Sequence, residues 1–398
     1  MNSFLVCFIS GASFLLSFLL FFHPFLQNIK ANRWLGFFAF IIGCAFIGTY
    51  LTLTETTGSN NFLFKVVSSL QFLLAPSFYM GIHYFVKPTK VFRRTDWLHF
   101  LPFIIYAAAE TTWNSRKESI STFTLFTINQ DVSILVRNIL PLIALLYLIQ
   151  CYFILKKHKA NLKRISSTIN QISLDWLVQF LFILLIIVVI WINDALFGVP
   201  FLTEATNFVY AVSIFFLAYF SIKQKAIFAF KEKDISQISE VLEYEDYKTD
   251  VSTFPFTEES TNNTDGYVTE VSNAKPKLKR LSAKQVTDLS ARLTSLMENN
   301  KLFLNNDLNL PTVAEKLGIS IHEASFLINE AAKDNFYNFI NKYRVQEAKK
   351  LLASAKMDEL NIVGIAFASG FNSKTTFNTT FKKMVGISPS QYSKRHKK

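Results

Sequence analysis

Seven apolar runs occupy the first 222 residues, at 3–23, 34–54, 62–86, 97–113, 133–155, 174–196 and 205–222. Most approach the ~20 residues that a helix needs to cross a bilayer. A backbone in lipid has to satisfy its own N–H and C=O groups, so such runs are read as transmembrane helices. The fourth run is the shortest. The first has no basic segment before it and no small-residue cleavage site after it, so it reads as a retained helix rather than a signal peptide. Composition agrees: 42 Phe and 51% hydrophobic residues are unusual for a soluble protein.

Loop charge orients these helices. Basic residues collect in the first, third and fifth loops (Lys30 and Arg33; Lys87, Lys90, Arg93 and Arg94; Lys156, Lys157, Lys159, Lys163 and Arg164) and after the last run at Lys223, Lys225, Lys231 and Lys233. The second and sixth loops are poor in them, and the fourth holds only Arg116 and Lys117. The bias predicts an outside N-terminus and a cytoplasmic C-terminus. Trp34, Trp97, Trp113, Trp176 and Trp191 lie near span ends, where interfacial anchors belong. The polar residues within or near spans, His83, Arg137, Asp175, Asn193 and Asp194, form no catalytic pattern. No HExxH, GxSxG or phosphate loop is present, so no enzymatic activity, metal or cofactor is expected. Cys7, Cys44 and Cys151 lie in apolar stretches without metal-ligand spacing. A sensor is the better reading, with a ligand site between helices or on the fourth loop.

The net charge of +12 is unevenly distributed. Residues 1–230 hold 17 basic and 8 acidic side chains, residues 231–274 hold 3 and 11, and residues 275–398 hold 21 and 10. This divides the chain into a transmembrane sensor (1–230), an acidic flexible linker (231–274) and a basic head (275–398). The linker's acidity could compete for the basic head with a polyanion such as nucleic acid, or the linker could be cut to release the head; a solvated spacer is the simpler view.

Within the head, one supersecondary unit occurs twice. LNLPTVAEKLGISIHEASFLINEA offers Asn309 as a helix cap, Pro311 in the first turn, Gly318 as the turn, and Ser320 with Glu323 as a capping box. LNIVGIAFASGFNSKTTFNTTFKKMVG repeats it, with Ile362, Ile365 and Ala366 as the apolar stripe, Gly370 as the turn and Asn372 or Ser373 as the second cap. Two short helices about a Gly turn make a helix-turn-helix, whose second helix suits the major groove. Between the copies NFYNFINKYRVQEAKKLLAS predicts a long amphipathic helix, with Phe336, Phe339, Ile340, Tyr343, Val345, Ala348 and Leu351 as core. Upstream, a helix within 275–307 places Val286, Leu289, Leu293 and Leu296 on one face, followed by Phe303 and Leu304.

FINKYRVQEAKKLL followed by IAFASGFNSKTTFNTTFKKMVGISPSQY resembles the DNA-binding domain of the AraC family of bacterial transcription regulators, over roughly the last quarter of the chain. The fold expected overall is all-α: a seven-helix transmembrane bundle, then an AraC-type domain with two helix-turn-helix motifs. The resemblance implies base contacts from His322, Ser325 and Phe326 on the first recognition helix, to which helical geometry adds Asn329. On the second it implies Lys374, Thr375, Asn378 and Thr379, with Phe377, Phe381 and Met384 turned inward. Lys316, Lys333, Lys349, Lys350, Lys382, Lys383 and Arg395 suit phosphates, which fix register without reading sequence.

The partners expected are double-stranded DNA, the lipid bilayer, a signal ligand, RNA polymerase and a second copy of the chain. The resemblance implies an activator more often than a repressor. The rival reading is a membrane receptor or transporter whose helix-turn-helix tail is a protein-interaction module.

Overall fold

A computed structural model describes residues 3–23, 27–54, 66–67, 69–87, 91–116, 131–169, 172–197, 199–227, 230, 233–242, 281–354 and 360–396. Most of the fourth loop and of the acidic linker, which the sequence singled out, lies outside these residues. The described residues are helical, with one isolated antiparallel bridge between Ser166 and Asn309. The chain forms two compact units: Met1–Lys159 with Gln171–Ala229, and Ala160–Asn170 with Phe230–Lys398. The segment 160–170, the end of one apolar helix and the residues that follow it, thus groups with the head.

The first unit contains α1 (Ser3–Phe22), α2 (Ile29–Leu53), α3 (Leu74–Val86), α4 (Leu101–Arg116), α5 (Asp131–Ile165, its last turn in the other unit), α6 (Asp175–Leu196) and α7 (Pro200–Lys223). Small residues let α1 and α2 approach closely, as in lipid, where packing rather than burial from water drives association. Ser10 and Ser13 are buried, the Ser10 hydroxyl donates to the Gly43 carbonyl at 2.9 Å, and a Cβ at Gly43 would meet the Phe14 ring. Aromatic packing continues the core through Phe38, Phe78 and Phe180.

Among the described residues five helices are long and apolar enough to cross a membrane: Ser3–Phe22, Ile29–Leu51, Ile139–Ile165, Asp175–Asp194 and Pro200–Lys223. The seven-helix expectation falls short at its third and fourth members. There α3 has 13 residues and α4 has 16, and each is preceded by a 3-10 segment, at Gln71–Leu73 and Arg94–Phe100. Asn193, read as a polar residue within a span, closes the turn into α7 by accepting from the Val199 N–H and donating to its carbonyl, both at 3.2 Å. Trp97 is exposed as an anchor would be, whereas Trp176 is buried and donates to Gln224 at 2.7 Å. The Arg137 and Trp113 side chains lie outside the described residues.

The second unit contains a short helix α8 (233–242), α9 (Ala283–Glu298), α10 (Leu310–Leu317), α11 (Ile321–Ala332), α12 (Phe336–Leu352), α13 (Ile362–Ala368), α14 (Lys374–Val385) and α15 (Pro389–His396). Every expected cap is present. Asn309, Ser320 and Ser373 accept from Thr312, Glu323 and Thr376 N–H groups respectively, and Glu323 returns a bond to Ser320. Both turns share one bond pattern, with Ile319 N–H on the Ala314 carbonyl and Phe371 N–H on that of Ala366. The second cap comes one residue later after its glycine than the first.

Leu289, Leu293 and Met297 of α9 are buried, and Arg292 donates to the last carbonyl of α10, Leu317 O, at 3.1 Å. α12 is the central helix, touching α11 and also α13, α14 and α15. Its Val345, Ala348 and Leu352 join Ile365, Ala366, Phe371, Phe377 and Phe381 in one core. Leu352 rather than Leu351 is the fully buried position, and Tyr343 is half-buried.

Candidate nucleic-acid interface

On α11 the buried positions are Ile321, Ala324, Ser325, Leu327 and Ile328, the stripe that 3.6-residue periodicity turns inward. Ser325, expected to face outward, is therefore covered; a small side chain beside Ala324 and Ile328 lets the neighbouring elements close over it. Phe326 and Asn329 are exposed, Phe326 at 45%. His322 is half-buried, with Nε2 3.3 Å from Oε2 of Glu240 on α8.

On α14 the inward face is Thr376, Phe377, Thr380 and Phe381, and the Thr380 hydroxyl bonds the Tyr337 hydroxyl of α12 at 3.1 Å. Lys374, Thr375 and Thr379 are exposed and Asn378 is half-buried. Asn378, Thr379, Lys382 and Lys383 line one open concavity with Gly386, so expected base and phosphate contacts share one surface there.

Lys316, Lys382, Lys383 and Arg395 are exposed. Lys333 is 2.9 Å from Glu330, and Lys350 is 3.9 Å from Glu347. Lys349 is half-buried, its ammonium 5.7 Å from the Tyr392 ring centre. The Lys333 pair is exposed and the Lys350 pair is long, so each is worth only ~0–1 kcal/mol and leaves its lysine able to exchange a carboxylate for a phosphate.

Sequence reasoning missed Arg344, whose side chain is 1% exposed. Its Nε donates to Phe303 O at 2.9 Å, one terminal nitrogen to Asn305 O at 2.8 Å and Ser167 Oγ at 2.9 Å, and the other to Ser167 O at 3.3 Å. The guanidinium also lies 5.9 Å from the Phe371 ring centre. Burial pulls its pKa down to about 10, which leaves it cationic at neutral pH. The signal was present: Ile340, Arg344 and Ala348 share one face of α12, so an arginine stands in an apolar row. Nothing comparable in the sequence marks Ser167 or Glu240.

In the first unit, a small apolar cavity is lined by side chains including Phe38, Phe78, Leu140, Tyr147, Trp191 and Tyr210. No group of His, Cys, Asp or Glu suited to a metal occurs among the described residues.

The model of a family described as a helix-turn-helix domain matches residues 313–395. An uncharacterized HTH-type transcriptional regulator in the cgkA 5′ region of Pseudoalteromonas carrageenovora is 33% identical over 99 residues, 24% of this chain and 53% of that one. The melibiose operon regulatory protein of Escherichia coli (strain K12) is 30% identical over 87 residues, 22% of this chain and 28% of that one. The chain thus spans about half or less of these curated relatives. Among solved structures, the C-terminal domain of AraT, a response regulator from Geobacillus stearothermophilus, is 33% identical, the match covering 30% of this chain and 90% of that one with a TM-score of 0.25.

Proposed function

Because the chain carries an AraC-type helix-turn-helix domain at its C-terminus, we propose that it is a membrane-anchored, sequence-specific transcription regulator whose apolar helices sense a signal. The observation that carries the reading is the pair of recognition helices, each capped, each buried on one side and each presenting polar side chains on the other. His322, Phe326 and Asn329 are the proposed base readers of the first; Lys374, Thr375, Asn378 and Thr379 are those of the second. Asn suits adenine, and Phe suits a thymine methyl. Ser325 loses its place as a direct reader and supports the helix from beneath. Lys316, Lys333, Lys349, Lys350, Lys382, Lys383 and Arg395 hold phosphates.

Anchoring rests on the five long apolar helices and on the large apolar side chains they leave exposed, among them Phe4, Phe18, Leu146, Phe182, Phe208 and Phe215. The apolar cavity at Tyr147 and Trp191 is small, so a ligand sensed there would be apolar and would widen it on binding. Function then follows from a population shift: a ligand that prefers one state of the helical unit changes how the head meets a promoter. A second copy of the chain would raise affinity at paired sites.

Chromatin recovery with tagged full-length protein, followed by sequencing of the DNA, tests the reading. A few promoters sharing a two-part motif are expected. Recovery of proteins without enriched DNA, under conditions where the same cells respond to the signal, would favour the interaction-module alternative.

A further inference from the structure

The most buried charge in the head is tied to a segment that belongs, in sequence, between α5 and α6. Ser166, Ser167 and Thr168 form a turn closed by side-chain bonds, the Ser166 hydroxyl donating to Thr168 O at 2.8 Å and accepting from its N–H. The turn lies along the entry to α10. Ser166 bridges Asn309, the cap of that helix; Ser167 N–H and hydroxyl both donate to Leu308 O, at 3.1 and 2.6 Å; and the Thr168 hydroxyl donates to Asn306 O at 2.6 Å. Ser167 is 1% exposed and adds two of the four bonds that Arg344 makes.

Where this occurs matters as much as its strength. Arg344 and Phe303 O also meet the turn of the second helix-turn-helix: a Cβ on Gly370 would come within 2.5 Å of Phe303 O and 3.2 Å of Arg344 Nε. The serine turn is therefore seated at the one place where the lead into the first motif, the central helix α12 and the turn of the second motif converge. A displacement of the turn strips a buried guanidinium of two acceptors, which is costly, so the segment and the head move together or separate as a unit. A second contact bears on the same motif. Glu240 sits on α8, whose Ile238 and Val241 are buried, and its carboxylate occupies His322, a proposed base reader.

We propose that the Arg344 site is a docking surface for the chain's own 160–170 segment, and that this segment is the handle through which α5 and α6 hold the first helix-turn-helix in a restrained state. The proposal rests on the regulator reading for its DNA consequence but not for the docking itself. In the restrained state Glu240 takes the place of a DNA edge at His322. A signal that shifts α5 against α6 draws the turn from its seat and frees the motif.

The test uses full-length protein in native membranes, with Cys7, Cys44 and Cys151 replaced by serine and with Thr168→Cys and Asn306→Cys introduced. A short bis-thiosulfonate reagent is expected to join the pair efficiently, unlike either single-cysteine control. Solubilised protein is then titrated with the promoter fragment most enriched in the chromatin recovery. The joined form should bind at least tenfold more weakly than the same protein after reduction. Glu240→Gln in the otherwise natural chain, which leaves the seat intact, should bind severalfold more tightly. Absence of cross-linking overturns the docking surface. Efficient cross-linking with equal affinities in the joined and reduced forms overturns the handle. Should the pair join while neither form binds DNA, the regulator reading fails and the handle with it, but the docking surface stands.

Discussion

Gly318 and Gly370 hold the same place in the two turns, with φ of 70° and 88°, yet their surroundings differ. A Cβ at Gly318 meets nothing within 4 Å, whereas one at Gly370 would press into the backbone of Phe303 and Leu304. Gly318→Ala should therefore cost only the left-handed backbone term, about 1 kcal/mol. Gly370→Ala adds a clash with backbone that cannot rotate away, for a total of about 2–5 kcal/mol. Denaturant unfolding of the purified variants, followed by a signal from the head, reads the difference; equal losses would sink the argument. Both glycines, and the caps Asn309, Ser320 and Ser373, were legible in the sequence because each answers a local demand of the backbone. Arg344 was not placed, because its partners, three carbonyls and the Ser167 hydroxyl, are supplied by chain 39 to 177 positions away.

At the scale of the element, periodicity located all five helices from α10 to α14 and most of their inward faces. It failed at Ser325, where the helical wheel offers two adjoining stripes, 321-324-325-328 and 322-325-326-329, and residue 325 belongs to both. Hydrophobicity cannot divide them when the shared residue is serine. The two recognition helices now make separable predictions. Lys374→Ala removes an exposed side chain from the head of α14 and should weaken binding to the preferred site by ~1–3 kcal/mol, with a loss of preference at one base position. Ser325→Ala should leave base preference unchanged, since its side chain lies beneath the surface. Lys382→Ala should weaken preferred and random duplexes alike and reduce the slope of log affinity against log salt by about 1. Titration across salt concentrations with both duplexes tells these apart. A Lys374 variant that lost affinity uniformly would be reassigned from base to phosphate.

For the whole molecule, the proposed anchoring leaves one quantity in tension between the sequence and the helix lengths, the number of membrane crossings. The two readings agree on much. Counting either the five long helices or all seven, an odd number of crossings separates the N-terminus from segment 160–170, and two separate that segment from the head. On either count 160–170 would fall on the head's side, as a docked serine turn requires, and the N-terminus on the other. The counts part at residues 87–94. With α3 and α4 crossing, this basic stretch lies on the head's side; without them, it lies opposite. Length favours crossing for α4. Its 16 residues at 1.5 Å and the seven of the preceding 3-10 segment at 2.0 Å reach about 38 Å, beyond the ~30 Å of hydrocarbon. Charge favours it too, since Lys87, Lys90, Arg93 and Arg94 would otherwise face outward against the usual bias. α3 with its 3-10 lead is the shorter partner at about 26 Å, a mismatch that local thinning accommodates at modest cost. We therefore expect seven crossings. Val91 is 74% exposed, so Val91→Cys in a chain without its natural cysteines reports the outcome directly. An impermeant maleimide added to intact cells or spheroplasts should leave Cys at 91 unlabelled and label it only after lysis; labelling without lysis would reduce the count to five and turn α3 and α4 into a cap on the outer face.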